Sequence, residues 1–217
     1  MKLNDRTLQV MKNFSSINSG LVLQPGKTQK TMSPEQTILV EAKLEDELPN
    51  VFGIYDLNQF LGNVTTLGNP DLSFSNDRVV MSSGDMSLNY YSCSPSLIIS
   101  PPNKELVLPK IDVAFTISNA TLTKILRLAS MNNLPNLSVI GKNGEIKLQA
   151  HEAKNDTSNF VSTTIDEYVG ADFSISFKTE NLRLIPDDYN VEIAIGGFSK
   201  WSNKSGNLTY YIAMEKK

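Results

Sequence analysis

Apolar and polar residues alternate one for one in four stretches of the chain. Phe173, Ile175 and Phe177 flank Ser174 and Ser176, and Ile146, Leu148 and Ala150 flank Lys147 and Gln149. Val191, Ile193 and Ile195 face away from Glu192 and Ala194, and Ile38, Val40, Ala42 and Leu44 repeat at the same period. A period of two turns one set toward a core and the other toward solvent, which predicts half-buried antiparallel strands. Turn formers punctuate these runs at Pro25-Gly26, Gly68-Asn69-Pro70, Ser83-Gly84-Asp85 and Lys142-Asn143-Gly144. Asn143-Gly144 between two alternating runs predicts a type I′ hairpin. Three stretches change to helical spacing. Leu8, Met11, Phe14 and Ile17 share one face within Asn4 to Ile17. Leu57, Phe60, Leu61, Val64 and Leu67 do so within Asp56 to Leu67, and Leu122, Ile125, Leu126, Leu128 and Ala129 within Asn119 to Met131. Asn4 or Asp5, Asp56 and Asn119 are suitable N-caps. A shorter helix is expected from Thr179 to Leu184, stopped by Pro186.

Two of these helices read as copies. Leu8 and Leu122 stand 114 positions apart (122 − 8), and the same offset matches Thr7 with Thr121, Met11 with Ile125, Phe14 with Leu128 and Ile17 with Met131. The offset is about half the 217 residues, which predicts two similar domains of about 100 residues. The expected boundaries are 1–93 and 111–217, with a connector over 94–110. Pro95, Pro101 and Pro102 exclude an α-helix from the connector and favour an extended path. Its apolar trio Leu97-Ile98-Ile99 either packs on a domain or contributes to a binding surface.

Charge sharpens this picture. The protein is acidic overall, with net charge −3, yet the outward helix faces carry no carboxylate beyond their first turns. Arg6, Gln9, Lys12, Asn13 and Ser16 face outward on the first helix, with Lys2 just before it. Asn58, Gln59, Asn63, Thr65 and Thr66 face outward on the middle helix, and Thr123, Lys124, Arg127 and Ser130 on the last. Acidic residues gather elsewhere, as in Glu45-Asp46-Glu47, Asp166-Glu167 and Asp187-Asp188. Simple electrostatic adhesion to nucleic acid is disfavoured by the overall balance. One cysteine, Cys93, excludes an intramolecular disulfide and argues against a cysteine zinc site. No apolar run approaches the ~18 residues of a membrane span, and no signal peptide is expected. Phosphate-loop, dinucleotide, nucleophile-elbow and HExxH motifs are all missing from the sequence. His151-Glu152, with Asp156 near, reads as a strand end entering a polar loop rather than an acid–base pair or metal site. Trp201 reads as a packing residue or a hairpin tip rather than a base-stacking platform. Triplets such as Asn63-Val64-Thr65 arise by chance in a chain rich in Asn, Ser and Thr. No catalytic residue, metal or cofactor is expected.

The stretch Ile54-Tyr55-Asp56-Leu57-Asn58-Gln59-Phe60-Leu61-Gly62 resembles the strand-to-helix signature of the T4-type bacteriophage sliding clamps. Lys12-Asn13-Phe14 with Ile17-Asn18-Ser19-Gly20, Pro102-Asn103-Lys104, Leu126-Arg127-Leu128-Ala129-Ser130 and Tyr210-Tyr211-Ile212-Ala213-Met214-Glu215 resemble other parts of that family, in the same order. Thr28–Ser33 and Lys154–Thr163 match nothing in it. The resemblance implies an α+β DNA-clamp fold, two similar domains of antiparallel sheet with helices on one face, in chains that assemble three at a time into a closed ring. It implies a DNA polymerase processivity factor that is not an enzyme and that encircles double-stranded DNA without sequence specificity. Lys2, Arg6, Lys12, Lys124, Arg127 and, on the short helix, Arg183 are then the DNA-facing residues. It further implies that a C-terminal tail of the polymerase docks between the domains, at Leu97, Ile98, Ile99, Leu106, Val107, Tyr211 and Ile212, with Leu108 beside them. A clamp-loader ATPase and late-transcription factors would be further partners, in the cytoplasm of the infected bacterial host, with no membrane role. A β-rich phage structural protein is the competing expectation; it has no use for basic residues on helix faces.

Overall fold

The computed structural model describes residues 1–102, 104, 106–155 and 157–215, and the chain divides into two compact units, Met1–Lys104 and Glu105–Lys217. The first unit opens with α1 (Asp5–Ile17), whose N-cap Asn4 accepts the Thr7 N–H on Oδ1 at 2.7 Å. Strands β1 (Leu21–Leu23), β2 (Gly26–Met32), β3 (Ile38–Leu48) and β4 (Phe52–Ile54) follow, then α2 (Leu57–Thr66), capped by Asp56. The unit continues with β5 (Asp71–Phe74), β6 (Arg78–Ser83) and β7 (Met86–Tyr91). β1 pairs with β4, β2 with β3, and β5, β6 and β7 form a meander, all antiparallel. Val10, Met11, Phe14 and Ile17 of α1 are buried against β3 and α2. The stripe is rotated from its expected position, so Val10 is inside and Leu8 only half-buried.

The chain leaves β7 by a close passage over β4. The Cys93 N–H donates to the Gly53 carbonyl at 2.9 Å. A Cβ on Gly53 would lie 2.3 Å from the Cys93 carbonyl oxygen, so only glycine permits this approach. The connector then forms a short 3-10 turn at Pro95–Leu97 rather than a wholly extended strand. Beyond it, Ile98 Cγ1 lies 3.2 Å from where a Gly20 Cβ would stand, and Asn18 Nδ2 donates to the Ile99 carbonyl at 2.9 Å.

The second unit contains β8 (Val113–Ile117), α3 (Asn119–Met131), β9 (Asn136–Lys142), β10 (Glu145–His151), β11 (Val161–Glu167) and β12 (Phe173–Lys178). It ends with β13 (Tyr189–Ile193), β14 (Phe198–Asn203) and β15 (Leu208–Ala213). β11, β10, β9 and β12 make one antiparallel sheet, and β8, β13, β14 and β15 make a second run. Lys142 opposes Glu145 across Asn143 (φ 54) and Gly144 (φ 81), the two positive angles of a type I′ turn. Trp201 is fully buried, edge-on to Phe177 and Tyr189, with its indole N–H on Ser199 Oγ at 2.8 Å.

The two helices α1 and α3 are duplicates in position: their caps and both ends are displaced by 114 residues (118 − 4, 119 − 5, 131 − 17). Ser118, not Asn119, is the cap of α3. β1 with β4 corresponds to β9 with β12, and the β5–β7 meander to β13–β15. Two further expectations fail. Thr179 to Leu184 yields only a 3-10 turn, Thr179–Asn181. Pro186 follows too soon for a helical ladder to form. β13 stops at Ile193, Ala194 is buried and Ile195 is 52% exposed. The turn held by Gly197 N–H on the Ala194 carbonyl at 2.9 Å, with Gly196 at φ 84, breaks the alternation there. No helix among the described residues is long and apolar enough to cross a membrane.

Candidate functional site

The basic residues singled out by the sequence stand mainly on the two duplicate helices. Lys12 is exposed on α1, and Lys2 is exposed two residues before the α1 cap. Arg6 is half-buried and its Nη1 donates to Gln9 Oε1 at 2.7 Å. Lys124 and Arg127 are exposed one turn apart on α3, where they line a shallow groove of about 470 Å³ with Thr123 and Met131. Arg183 is exposed just after the 3-10 turn, not on a helix, and its Nε donates to the Glu180 carbonyl at 2.9 Å. Past its first turn α1 has no carboxylate, and α2 and α3 have none at all.

The helix N-termini, where free N–H groups favour anions, are filled from within. Asp46 Oδ2 accepts the Asn4 N–H at 2.8 Å, and Asp188 Oδ1 accepts the Asn119 N–H at 2.8 Å. The Lys204 ammonium, 2.7 Å from Asp188 Oδ2, and then the Asn119 N–H hold the Asp188 carboxyl below its ordinary range. Positive potential outside α1 and α3 therefore comes from side chains rather than from bare helix ends.

The expected docking residues divide by exposure. Leu97 (66%), Ile99 (46%) and Val107 (70%) face solvent, and Leu106 and Leu108 are half-buried. Ile98, Tyr211 and Ile212 are buried. Ile98 is spent on Gly20, so the apolar trio serves packing at its centre and exposure at its ends. Asn103 of the connector lies outside the described residues.

A groove in the second unit was not foreseen from the sequence. It has a volume of about 620 Å³ and lies among Ser138, His151, Ser174, Ile175, Ser176, Ile195, Met214 and Glu215. His151 Nε2 is 2.8 Å from Ser138 Oγ, and the Glu215 N–H donates to the Ser176 carbonyl at 2.8 Å. Asn136 Nδ2 donates to the Glu215 carboxylate. The Ser176 hydroxyl is buried without a hydrogen-bond partner among the described residues. His151 ends β10, as its sequence context predicts, and Asp156 lies outside the described residues. Burial pushes the Cys93 thiol up from its ordinary value, which suits a structural rather than a reactive thiol. No cluster of three metal-binding side chains occurs among the described residues.

Comparison with known proteins agrees with this organisation. Residues 2–89 match the family model described as DNA polymerase processivity factor. The chain is 29% identical to the sliding clamp of Vibrio phage KVP40 over 221 residues, covering 99% of both chains. It is 29% identical to the sliding clamp of Escherichia phage RB69 and 27% identical to that of Enterobacteria phage T4, each over 99% of this chain and 97% of the relative. Among solved structures, the A. fulgidus PCNA bound to the C-terminal region of FEN-1 superposes with a TM-score of 0.74 at 11% identity, covering 100% of this chain and 97% of that one. The Proliferating Cellular Nuclear Antigen of Entamoeba histolytica gives a TM-score of 0.66 at 15% identity, over 96% of this chain and 94% of that one. The fold is therefore the clamp fold, and over its whole length the chain is similar to the sliding clamps of T4-type bacteriophages, with residues 2–89 matching the DNA polymerase processivity factor model.

Proposed function

We propose that three copies of this chain close into a ring around duplex DNA, each contributing two clamp domains, 1–93 and 111–217, joined by the connector 94–110. The observation that carries this reading is the sorting of charge. A protein of net charge −3 keeps Lys12, Lys124 and Arg127 exposed on duplicate helices and keeps carboxylates off those faces. Enclosure needs little contact energy, and diffuse, sequence-independent attraction to phosphate permits sliding. β7 and β11 are the proposed seam. Each ends its sheet, paired on one side only among the described residues. Met86 (68% exposed) and Tyr91 (64% exposed) stand on β7. Closed rings remove such edges by pairing them between copies.

The DNA polymerase is held by a short apolar tail that seats on the exposed connector side chains Leu97 and Ile99. A loader opens the ring, and late-transcription proteins are further partners. The work takes place in the cytoplasm of the infected host. Retention on DNA tests the reading. Circular duplex, or linear duplex with blocked ends, should hold the protein, while free ends should release it. Equal retention on all three substrates would rule out enclosure.

A further inference from the structure

Asn18 closes α1 and is only 7% exposed. Its backbone N–H donates to the Phe14 carbonyl at 2.9 Å, which ends the helix. Both hydrogens of its side-chain amide are spent on backbone carbonyls. Nδ2 lies 2.9 Å from the Met32 oxygen, at the end of β2, and 2.9 Å from the Ile99 oxygen in the connector. Its Oδ1 accepts the Gly20 N–H at 3.0 Å. The neighbouring Ser19 carbonyl accepts the Leu57 N–H that opens α2, at 2.7 Å. One buried amide therefore gathers the end of α1, the end of β2 and the connector. Only a primary amide side chain offers two donors and an acceptor in one plane. Burial makes the loss of either donor costly, because a carbonyl is then left without its partner.

The connector has few other fixing points. The 3-10 turn at Pro95–Leu97 holds it upstream, with the Ile98 N–H on the Pro95 carbonyl at 3.1 Å. Ile98 is fixed by its side chain over Gly20. Downstream, Pro101 and Pro102 have no N–H to offer, and Ser100 Oγ reaches only the Ile98 carbonyl, at 3.4 Å. Among the described residues, the Asn18 amide makes the one hydrogen bond that ties residues 98–102 to an element outside the connector. An apolar anchor sets depth, whereas a directed hydrogen bond to a carbonyl also sets the rotation of the chain about its own axis. That rotation decides which way Leu97 and Ile99 point, and both are exposed while Ile98 between them is buried. We propose that Asn18 is a positioning residue for partner docking: it locks the connector in the rotation that presents Leu97 and Ile99 outward as preformed anchors for the polymerase tail. The inference rests on the docking reading of those two side chains. A surface fixed before the tail arrives loses less conformational entropy on binding, so the clip contributes affinity without touching the tail.

Paired variants of the full chain test the proposal. Asn18→Asp keeps the shape of the side chain and the acceptor for Gly20 but removes both donors. Asn69→Asp makes the same change at a second amide of this unit, whose Nδ2 donates to the Leu3 carbonyl at 2.7 Å rather than to the connector. Each is titrated calorimetrically with a peptide of the polymerase C-terminal residues, at a temperature where it is folded by circular dichroism, and amide hydrogen exchange is followed over residues 94–100. Asn18→Asp should bind the peptide about fivefold more weakly, the equivalent of one lost hydrogen bond, and its connector amides should exchange about fivefold faster. Asn69→Asp should melt earlier than the parent and leave both readings unchanged. Equal weakening in the two variants would reduce the effect to general destabilisation and overturn the proposal. Unchanged affinity in Asn18→Asp would overturn it too, as would weaker binding without faster exchange, which would make Asn18 a contact rather than a support. If the parent itself binds no peptide, the docking reading fails and takes the proposal with it; that outcome is distinct from a parent and an Asn18 variant that bind equally well. Asn18→Ala, which adds no charge, takes the place of Asn18→Asp if the carboxylate prevents folding.

Discussion

Asp188 joins two parts of the second unit, taking the first N–H of α3 on one oxygen and the Lys204 ammonium on the other. Both contacts favour the ionised form, so its folded pKa lies below that of the unfolded chain. A depressed carboxylate stabilises above the unfolded value, about 3.9, and that contribution is lost as pH falls through the folded value. Asp188→Ala is therefore expected to melt earlier than the parent at pH 7, with the difference closing toward about pH 2. Thermal melts across that range check it, and a gap that persists in acid would show that the carboxylate charge is not the cause. The connector offers a second contrast. Ile98 is buried on Gly20, so Ile98→Ser should cost about 2–3 kcal/mol of stability. Leu97 is exposed, and Leu97→Ser should leave melting unchanged while weakening a polymerase tail peptide by about 1–2 kcal/mol. Calorimetric titration beside thermal melts separates the two. Identical behaviour of both variants would remove the distinction between packing and docking.

At the level of elements, Gly53→Ala should be among the most damaging single changes in the first unit. Its Cβ meets a backbone carbonyl rather than a movable side chain, so β4 or the Cys93 segment must shift. Overpacking of this kind costs about 1–3 kcal/mol, and chemical denaturation should show it as a lower midpoint. Such a contact joins two segments 40 residues apart (93 − 53) and leaves no trace in local spacing. The helices were legible because capping and 3.6 periodicity are local, and α1 and α3 fall where those signals place them. The Asn143-Gly144 hairpin was legible for the same reason. The alternation through Ile195 misled because periodicity does not register the turn that Gly196 and Gly197 impose. The groove beside His151 was illegible for the opposite reason: Ser138 and Ile175 stand on different strands, Ile195 in the turn after β13 and Met214 just past β15, and no short window contains two of them. Charge on the helix faces was readable because exposure on an amphipathic helix follows directly from its apolar stripe.

For the whole molecule, the proposed assembly makes quantitative demands. The solution mass should be three times the 24.0 kDa of one chain at micromolar concentration. A persistent monomer that forms no larger species on circular duplex would count against it. Lys12→Ala or Arg127→Ala should reduce the slope of log affinity against log salt by about 0.9 for each phosphate that is no longer neutralised. An unchanged slope would take those side chains off the DNA path. The composition of the edge strands adds one consequence. β7, from Met86 to Tyr91, has no ionisable carboxylate or basic side chain, and β11 carries its two charged residues, Asp166 and Glu167, only at its last two positions. A seam built from these edges is held by backbone hydrogen bonds and apolar contact, which mobile ions scarcely screen, whereas the grip on phosphate weakens steeply as counterions are added. Ionic strength would then set the friction of travel along the duplex and leave the duration of residence to whatever opens the seam.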